Sequence, residues 1–165
     1  WAYGLTKDMA LPDHPTLEAA RKPYVDYPVG QQPPRVIKGD QLAAMTFWHG
    51  ELLNDWANEW VKYWTDGQGE FVSSAMEDTG TFQSLTYLDA AGKVDKDRVM
   101  VLRTASNFTL PPPGKTAAAY LLEEQHDSYA GLDAALENAY RVGRKVIDTL
   151  LANWEQHAQK IPAAN

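Results

Sequence analysis

Three short apolar runs, each followed by a helical pattern, set what this chain can fold into. They are Arg35-Val36-Ile37-Lys38, which ends at Gly39, then Phe71-Val72-Ser73-Ser74, then Arg98-Val99-Met100-Val101-Leu102-Arg103. The third is continuous and apolar at its centre, as in a strand buried on both faces of a parallel sheet. Between and after the runs the apolar period changes from two to about 3.6. Leu52, Leu53, Trp56, Trp60, Tyr63 and Trp64 recur at spacings of three and four, which predicts a helix over 49–64 with Gly67 at its stop. A second helix is predicted over 79–90, with Phe82, Leu85 and Leu88 inward and Gly92 at its end, and a third over 116–124. A long stripe of Leu132, Leu136, Tyr140, Ile147, Leu150, Leu151 and Trp154 predicts the last. Strand alternating with helix implies βαβ crossovers, so the expected class is α/β, a mainly parallel sheet flanked by helices.

Three strands leave a sheet edge bare. The expectation is therefore a partial domain, incomplete without an upstream segment supplied by a separate chain or a removed half. Trp1 to Leu5 reads as the middle of a helix, which predicts a processed chain. Residues 1–34 form an irregular and helical wrapping segment. Thr16 can cap a short helix reaching Tyr24, and Pro23, Pro28, Pro33 and Pro34 punctuate the rest. Residues 35–156 form the body and 157–165 a frayed tail.

Composition narrows the function. The chain has 165 residues, the size of one α/β domain. Six Trp and eight Tyr supply a large core or an aromatic-lined pocket. The net charge of -7 argues against binding a nucleic-acid backbone, which needs a basic footprint. No apolar run approaches the roughly 20 residues that span a bilayer. There is no Cys, and the four His are far apart without a metal-binding motif, so neither a metal nor another cofactor is expected. Pro111-Pro112-Pro113-Gly114-Lys115-Thr116 is not a P-loop, because the first Gly is missing and prolines remove the amide donors that hold phosphate.

In open α/β sheets, ligands sit beyond the carboxyl ends of the strands. Three segments here follow strand candidates: 39–50, 74–80 and 104–114. In the first, Phe47 and Trp48 either stack on a flat heterocycle or begin the helix core, and His49 is either an acid/base or a capping residue. In the second, Glu77 and Asp78 either accept from a vicinal diol or cap the next helix, with Glu77 nearer the strand end. In the third, the Asn107 amide carries both a donor and an acceptor and can read a heterocycle edge, while Ser106 and Asn107 also suit a turn. Ser106 lacks the Gly-x-Ser-x-Gly surroundings of a nucleophile elbow.

In this order the three segments resemble the nucleoside phosphorylase superfamily. Val36-Ile37-Lys38-Gly39, with Ala43 to Trp48, is similar to its Val-x-x-Gly…Ser-x-Asp-x-Phe-Tyr segment, which implies that Phe47 stacks on the base. Met45 stands where that segment carries Asp. Met76-Glu77 is similar to its Met-Glu pair, with Met against the sugar and Glu on the ribose hydroxyls; Ala75 replaces a further Glu. Thr104-Ala105-Ser106-Asn107 is similar to Thr-x-Ser-Asp, with Asn107 in place of the Asp that protonates the base.

The purine nucleoside permease family is more similar still. The shared features are Pro34-Arg35-Val36 with Gly39-Asp40, Phe47-Trp48-His49-Gly50, Trp64-Thr65-Asp66-Gly67, Met76-Glu77-Asp78, Arg103 to Phe108, and Tyr140-Arg141-Val142-Gly143. The resemblance implies the C-terminal part of a phosphorylase/hydrolase-like fold and a purine nucleoside as ligand. It also implies the N-terminal half of the same protein as partner, assembly as a homo-oligomer, and a periplasmic or secreted setting. The substrate-binding residues it implies are Phe47, Trp48, Met76, Glu77, Ser106 and Asn107, with Asn107 also the catalytic group. The main functional expectation is N-glycosidic cleavage of a purine nucleoside by phosphorolysis or hydrolysis, with phosphate as co-substrate. The alternative is a non-catalytic nucleoside-binding protein that supports uptake. A third reading, a storage or structural protein on the same scaffold, stays open because fold alone does not give function.

Overall fold

Two parallel strands joined by a helix organise the middle of the chain. A computed structural model describes residues 1–46, 48–127 and 129–163. They form two units, one of Gly39–Val101 and one of Trp1–Lys38 together with Leu102 onward.

In the first unit, β1 (Asp40–Ala43) pairs in parallel with β2 (Phe71–Ala75). Asp40 starts the ladder from both ends: its N–H donates to the Glu70 carbonyl at 2.7 Å, and its carboxylate accepts from Glu70 N–H at 2.9 Å. The crossover is α3 (Glu51–Trp64). It begins after Gly50, whose φ of 88° is left-handed backbone that a side chain disfavours. It ends where Gly67 N–H reaches back to the Lys62 carbonyl at 2.8 Å with φ at 77°, the left-handed close of a helix. Helix α4 (Asp78–Ala90) follows β2, and a 3-10 turn at Lys96–Arg98 closes the unit.

The expected strands differ from this at two places. Residues 35–38 carry no regular structure, and β1 begins only at Asp40. Val99 to Arg103 is likewise irregular, and Met100, Val101 and Leu102 are exposed. An apolar β-branched run favours extended backbone, but its N–H and C=O groups need a neighbouring ladder. Among the described residues only 40–43 and 71–75 meet one. The class is thus mixed helix and strand around a two-stranded parallel sheet.

The faces of the helices also differ from the sequence pattern. Asn54, Ala57 and Val61 are the buried residues of α3. The larger aromatics stack on one another instead: Trp56 on Trp60 at 4.9 Å, and Trp60 on Tyr63 at 6.2 Å, with Tyr63 71% exposed. Phe82 and Leu88 of α4, expected inward, are exposed.

The second unit holds α1 (Ala2–Thr6), α2 (Pro15–Arg21), α5 (Ala117–Asp127), α6 (Leu132–Ala152) and α7 (Trp154–Gln159). Helix α6 is its axis, with α1 packed against it. It buries Ala134, Ala135, Asn138 and Val142, whereas Leu136, Tyr140, Ile147 and Leu151 of the predicted stripe are exposed. Small residues let backbones approach closely, so they take the inner face. Asn138 donates to the Pro12 carbonyl at 3.2 Å and ties down the N-terminal segment. His14 rather than Thr16 caps α2, with Pro15 in the first turn. Asn153 separates α6 from α7, and His157 on α7 meets the Trp1 ring edge-on at 5.5 Å.

Asp13 and Arg21 form a two-pronged ion pair beside α2. The hydrogen-bonded guanidinium holds the Asp13 carboxyl below its ordinary 3.8. A carboxyl with a depressed folded pKa stabilises above its unfolded value and loses that contribution as pH falls through the folded value. Asp13→Asn should therefore be less stable than the parent at neutral pH, and the gap should close below about pH 4. Urea midpoints measured across that range check this; a gap that does not change with pH contradicts it.

Candidate functional site

The carboxyl ends of β1 and β2 lie side by side. Ala44 N–H continues the ladder to the Ala75 carbonyl at 3.1 Å, so segments 44–50 and 76–78 leave adjacent strand ends. The start of α4 is laced to β1: Thr79 Oγ1 donates to the Ala43 carbonyl at 2.7 Å, and Gln41 Nε2 donates to the Asp78 carboxylate. Asp78 thus has a structural partner across the sheet. Met76 and Glu77 are exposed ahead of it. Glu77 occupies the N-cap position of α4, but its carboxylate makes no capping hydrogen bond.

Trp48 is 9% exposed, with its ring stacked on Trp56 at 4.8 Å and only 7° between planes. Its indole Nε1–H is buried with no hydrogen-bond partner. Buried donors are nearly always paired, so an orphan in this place asks for an acceptor. The segment that carries Trp48 is held by Asn54, whose buried amide donates to the carbonyls of Trp48 at 3.3 Å and Gly50 at 2.9 Å. Sequence reasoning missed Asn54. Its signal was an amide one turn inside a helix, on the same face as Ala57 and Val61. His49 is half-buried, and Phe47 lies outside the described residues.

Ser106 and Asn107 belong to the other unit, on the loop before α5. Four contacts hold that loop. Gly131 N–H donates to the Ser106 carbonyl at 2.9 Å. Phe108 packs on Tyr24 at 4.5 Å, and Tyr24 Oη donates to the Leu110 carbonyl at 2.7 Å. Asn107 Nδ2 donates to Glu124 Oε2 at 2.9 Å. Burial, the largest influence, pushes the Tyr24 hydroxyl up to about 12 and the neighbouring Tyr120 hydroxyl up as well, so both remain neutral donors near pH 7. Glu124 was also missed; in the sequence it is one acidic residue in a helical run. Among the described residues no group of three His, Cys, Asp or Glu is placed to hold a metal ion.

Two substitutions test these supports. Asn54→Ala removes two hydrogen bonds to backbone carbonyls and should cost about 1–3 kcal/mol. The check is a lower urea midpoint at unchanged slope; an unshifted midpoint contradicts it. At Gly131 an added Cβ would stand 2.8 Å from the Ser106 carbonyl oxygen, too close for any real side chain. Gly131→Ala should therefore destabilise the chain and speed amide exchange across 104–110, and unchanged exchange there contradicts it.

A family model described as purine nucleoside permease matches residues 1–162. A purine nucleoside permease of Candida albicans is 35% identical over 123 residues, covering 74% of this chain and 30% of its own length. A probable purine nucleoside permease of Schizosaccharomyces pombe is 27% identical over 154 residues, covering 93% of this chain and 43% of its own length. The chain thus spans less than half the length of either relative. No solved structure matches it significantly. Among the described residues no helix is long and apolar enough to cross a membrane. The matching family and these relatives are named for permease function, which overturns N-glycosidic cleavage as the main expectation. On a match that runs almost from end to end, the chain belongs to the purine nucleoside permease family.

Proposed function

We propose that this chain binds a purine nucleoside in support of nucleoside uptake and does not cleave it. The family supplies the ligand class. The observation that carries the reading to a residue is the buried, unpartnered indole Nε1–H of Trp48. A purine ring offers nitrogen acceptors in its plane, and one of them would pair this donor. One face of the Trp48 ring is already covered by Trp56, so its role is a directed hydrogen bond more than a stacking platform. Met76 and Glu77, exposed at the end of β2, would meet the sugar, the carboxylate accepting from two vicinal hydroxyls. Phe47 would stack on the base, as the resemblance implies. Ser106 and Asn107, which belong to the other unit, carry on the same resemblance the proposed reading of a base edge.

The same proposal takes the chain as part of a larger phosphorylase-like α/β body. Support comes from its relatives, of which it matches 30% and 43%. Further support comes from the apolar side chains left in water, among them Trp64 at 66% and Leu136 at 63% exposure. Side chains of this size usually find cover. The proposed setting is periplasmic or secreted, on the family resemblance.

Titration calorimetry with inosine and adenosine tests the assignment. Trp48→Phe keeps a ring and removes the donor. It should weaken binding about tenfold, the worth of one good hydrogen bond. An unchanged Kd in a folded variant contradicts the role given to Trp48.

A further inference from the structure

Glu124 is a carboxylate with only 8% of its surface exposed, on α5, and it accepts from the side chain of Asn107 as well as from the Tyr120 hydroxyl. The distance, 2.9 Å from Nδ2 to Oε2, is that of a good hydrogen bond. A carboxylate only accepts, so the amide must turn its nitrogen toward it. With the amide reversed, Oδ1 would face the carboxylate, two acceptors in a place largely shielded from water, where such a clash is costly. The backbone on either side is already fixed, by Gly131 on the Ser106 carbonyl and by Tyr24 on Phe108. Rotation of the amide is the freedom that remains, and Glu124 removes it.

We infer that Glu124 is a positioning residue that locks the Asn107 amide with Oδ1 turned away from it, so that the chain selects purine nucleosides whose base offers an N–H. The inference rests on the proposed role of Asn107 as a reader of the base. One Nδ2 hydrogen is engaged by Glu124, and Oδ1 is the strong acceptor left for a ligand. Adenosine, through its 6-amino group, and inosine, through N1–H, both satisfy that acceptor. Purine riboside carries no N–H on its base and leaves Oδ1 facing ring nitrogens, which are acceptors too. Selection against it follows from repulsion between acceptors as well as from the missing bond.

The test is the ratio of affinities for these three nucleosides, measured by calorimetry on the full chain. The parent should bind adenosine or inosine at least tenfold more tightly than purine riboside. Glu124→Gln keeps the shape of the side chain but can donate or accept, so the Asn107 amide becomes free to reverse. The ratio should then fall to within about threefold, since a neutral pair no longer imposes one orientation. Asn107→Ala should remove the ratio as well, and it serves if Glu124→Gln does not fold. If Glu124 only supports α5, Glu124→Gln weakens all three ligands alike and leaves the ratio intact, which overturns the inference. A parent that binds all three equally also overturns it, while leaving nucleoside binding standing. A parent that binds none overturns both.

Discussion

The parallel pairing of Asp40–Ala43 with Phe71–Ala75 is the constraint on which the strand unit depends. A parallel pair cannot be closed by a tight turn; it needs a crossover of a dozen or more residues. Helix α3 is that crossover, and its boundaries follow from the demand. It starts at a glycine with φ of 88° and stops at a glycine with φ of 77°, two positions where the chain reverses sharply. Because both strands run the same way, the segments after them emerge at one edge. This is why Trp48, Met76 and Glu77, well separated along the chain, come from adjacent strand ends.

Buried asparagines do the same work in both units. Asn54 on α3 and Asn138 on α6 each sit on the inner face of a helix and donate to carbonyls of an irregular segment, Trp48 and Gly50 in one case and Pro12 in the other. Loops cannot satisfy their own carbonyls once they are covered, and a buried acceptor left unpaired is costly. An amide on the inner face of a helix supplies a donor and fixes the loop in the same contact. In the strand unit that loop carries Trp48, so the placement of a candidate ligand donor rests on a residue whose own role is structural.

Much of the helical content was legible in the sequence, because helix periodicity is a local property. The expected 49–64 and 79–90 match α3 and α4 to within two residues at each end. The strands were less legible. Val36-Ile37 and Val99 to Leu102 have the composition of strands but no ladder to join, and pairing is decided far along the chain. The inner helix faces were misjudged for a related reason. Apolar stripes weigh large side chains, whereas Ala57, Ala134 and Ala135 take the buried positions because they allow close approach. Of the site, the three segments expected after strands were visible as motifs, but the third follows no strand among the described residues, and the supports of all three were not visible. The hydrogen bond of Asn107 to Glu124 joins residues 17 apart on different elements, and no local pattern announces it.

The function proposed for this chain, holding a nucleoside and releasing it unchanged, draws its support from family membership and from the orphan Trp48 donor. The most direct measurement incubates the full chain with radiolabelled inosine and phosphate, collects the bound fraction by rapid filtration, and separates nucleoside from free base by chromatography. The account predicts saturable binding with the label recovered as intact inosine at every time point. Free hypoxanthine accumulating in proportion to protein and time would contradict it.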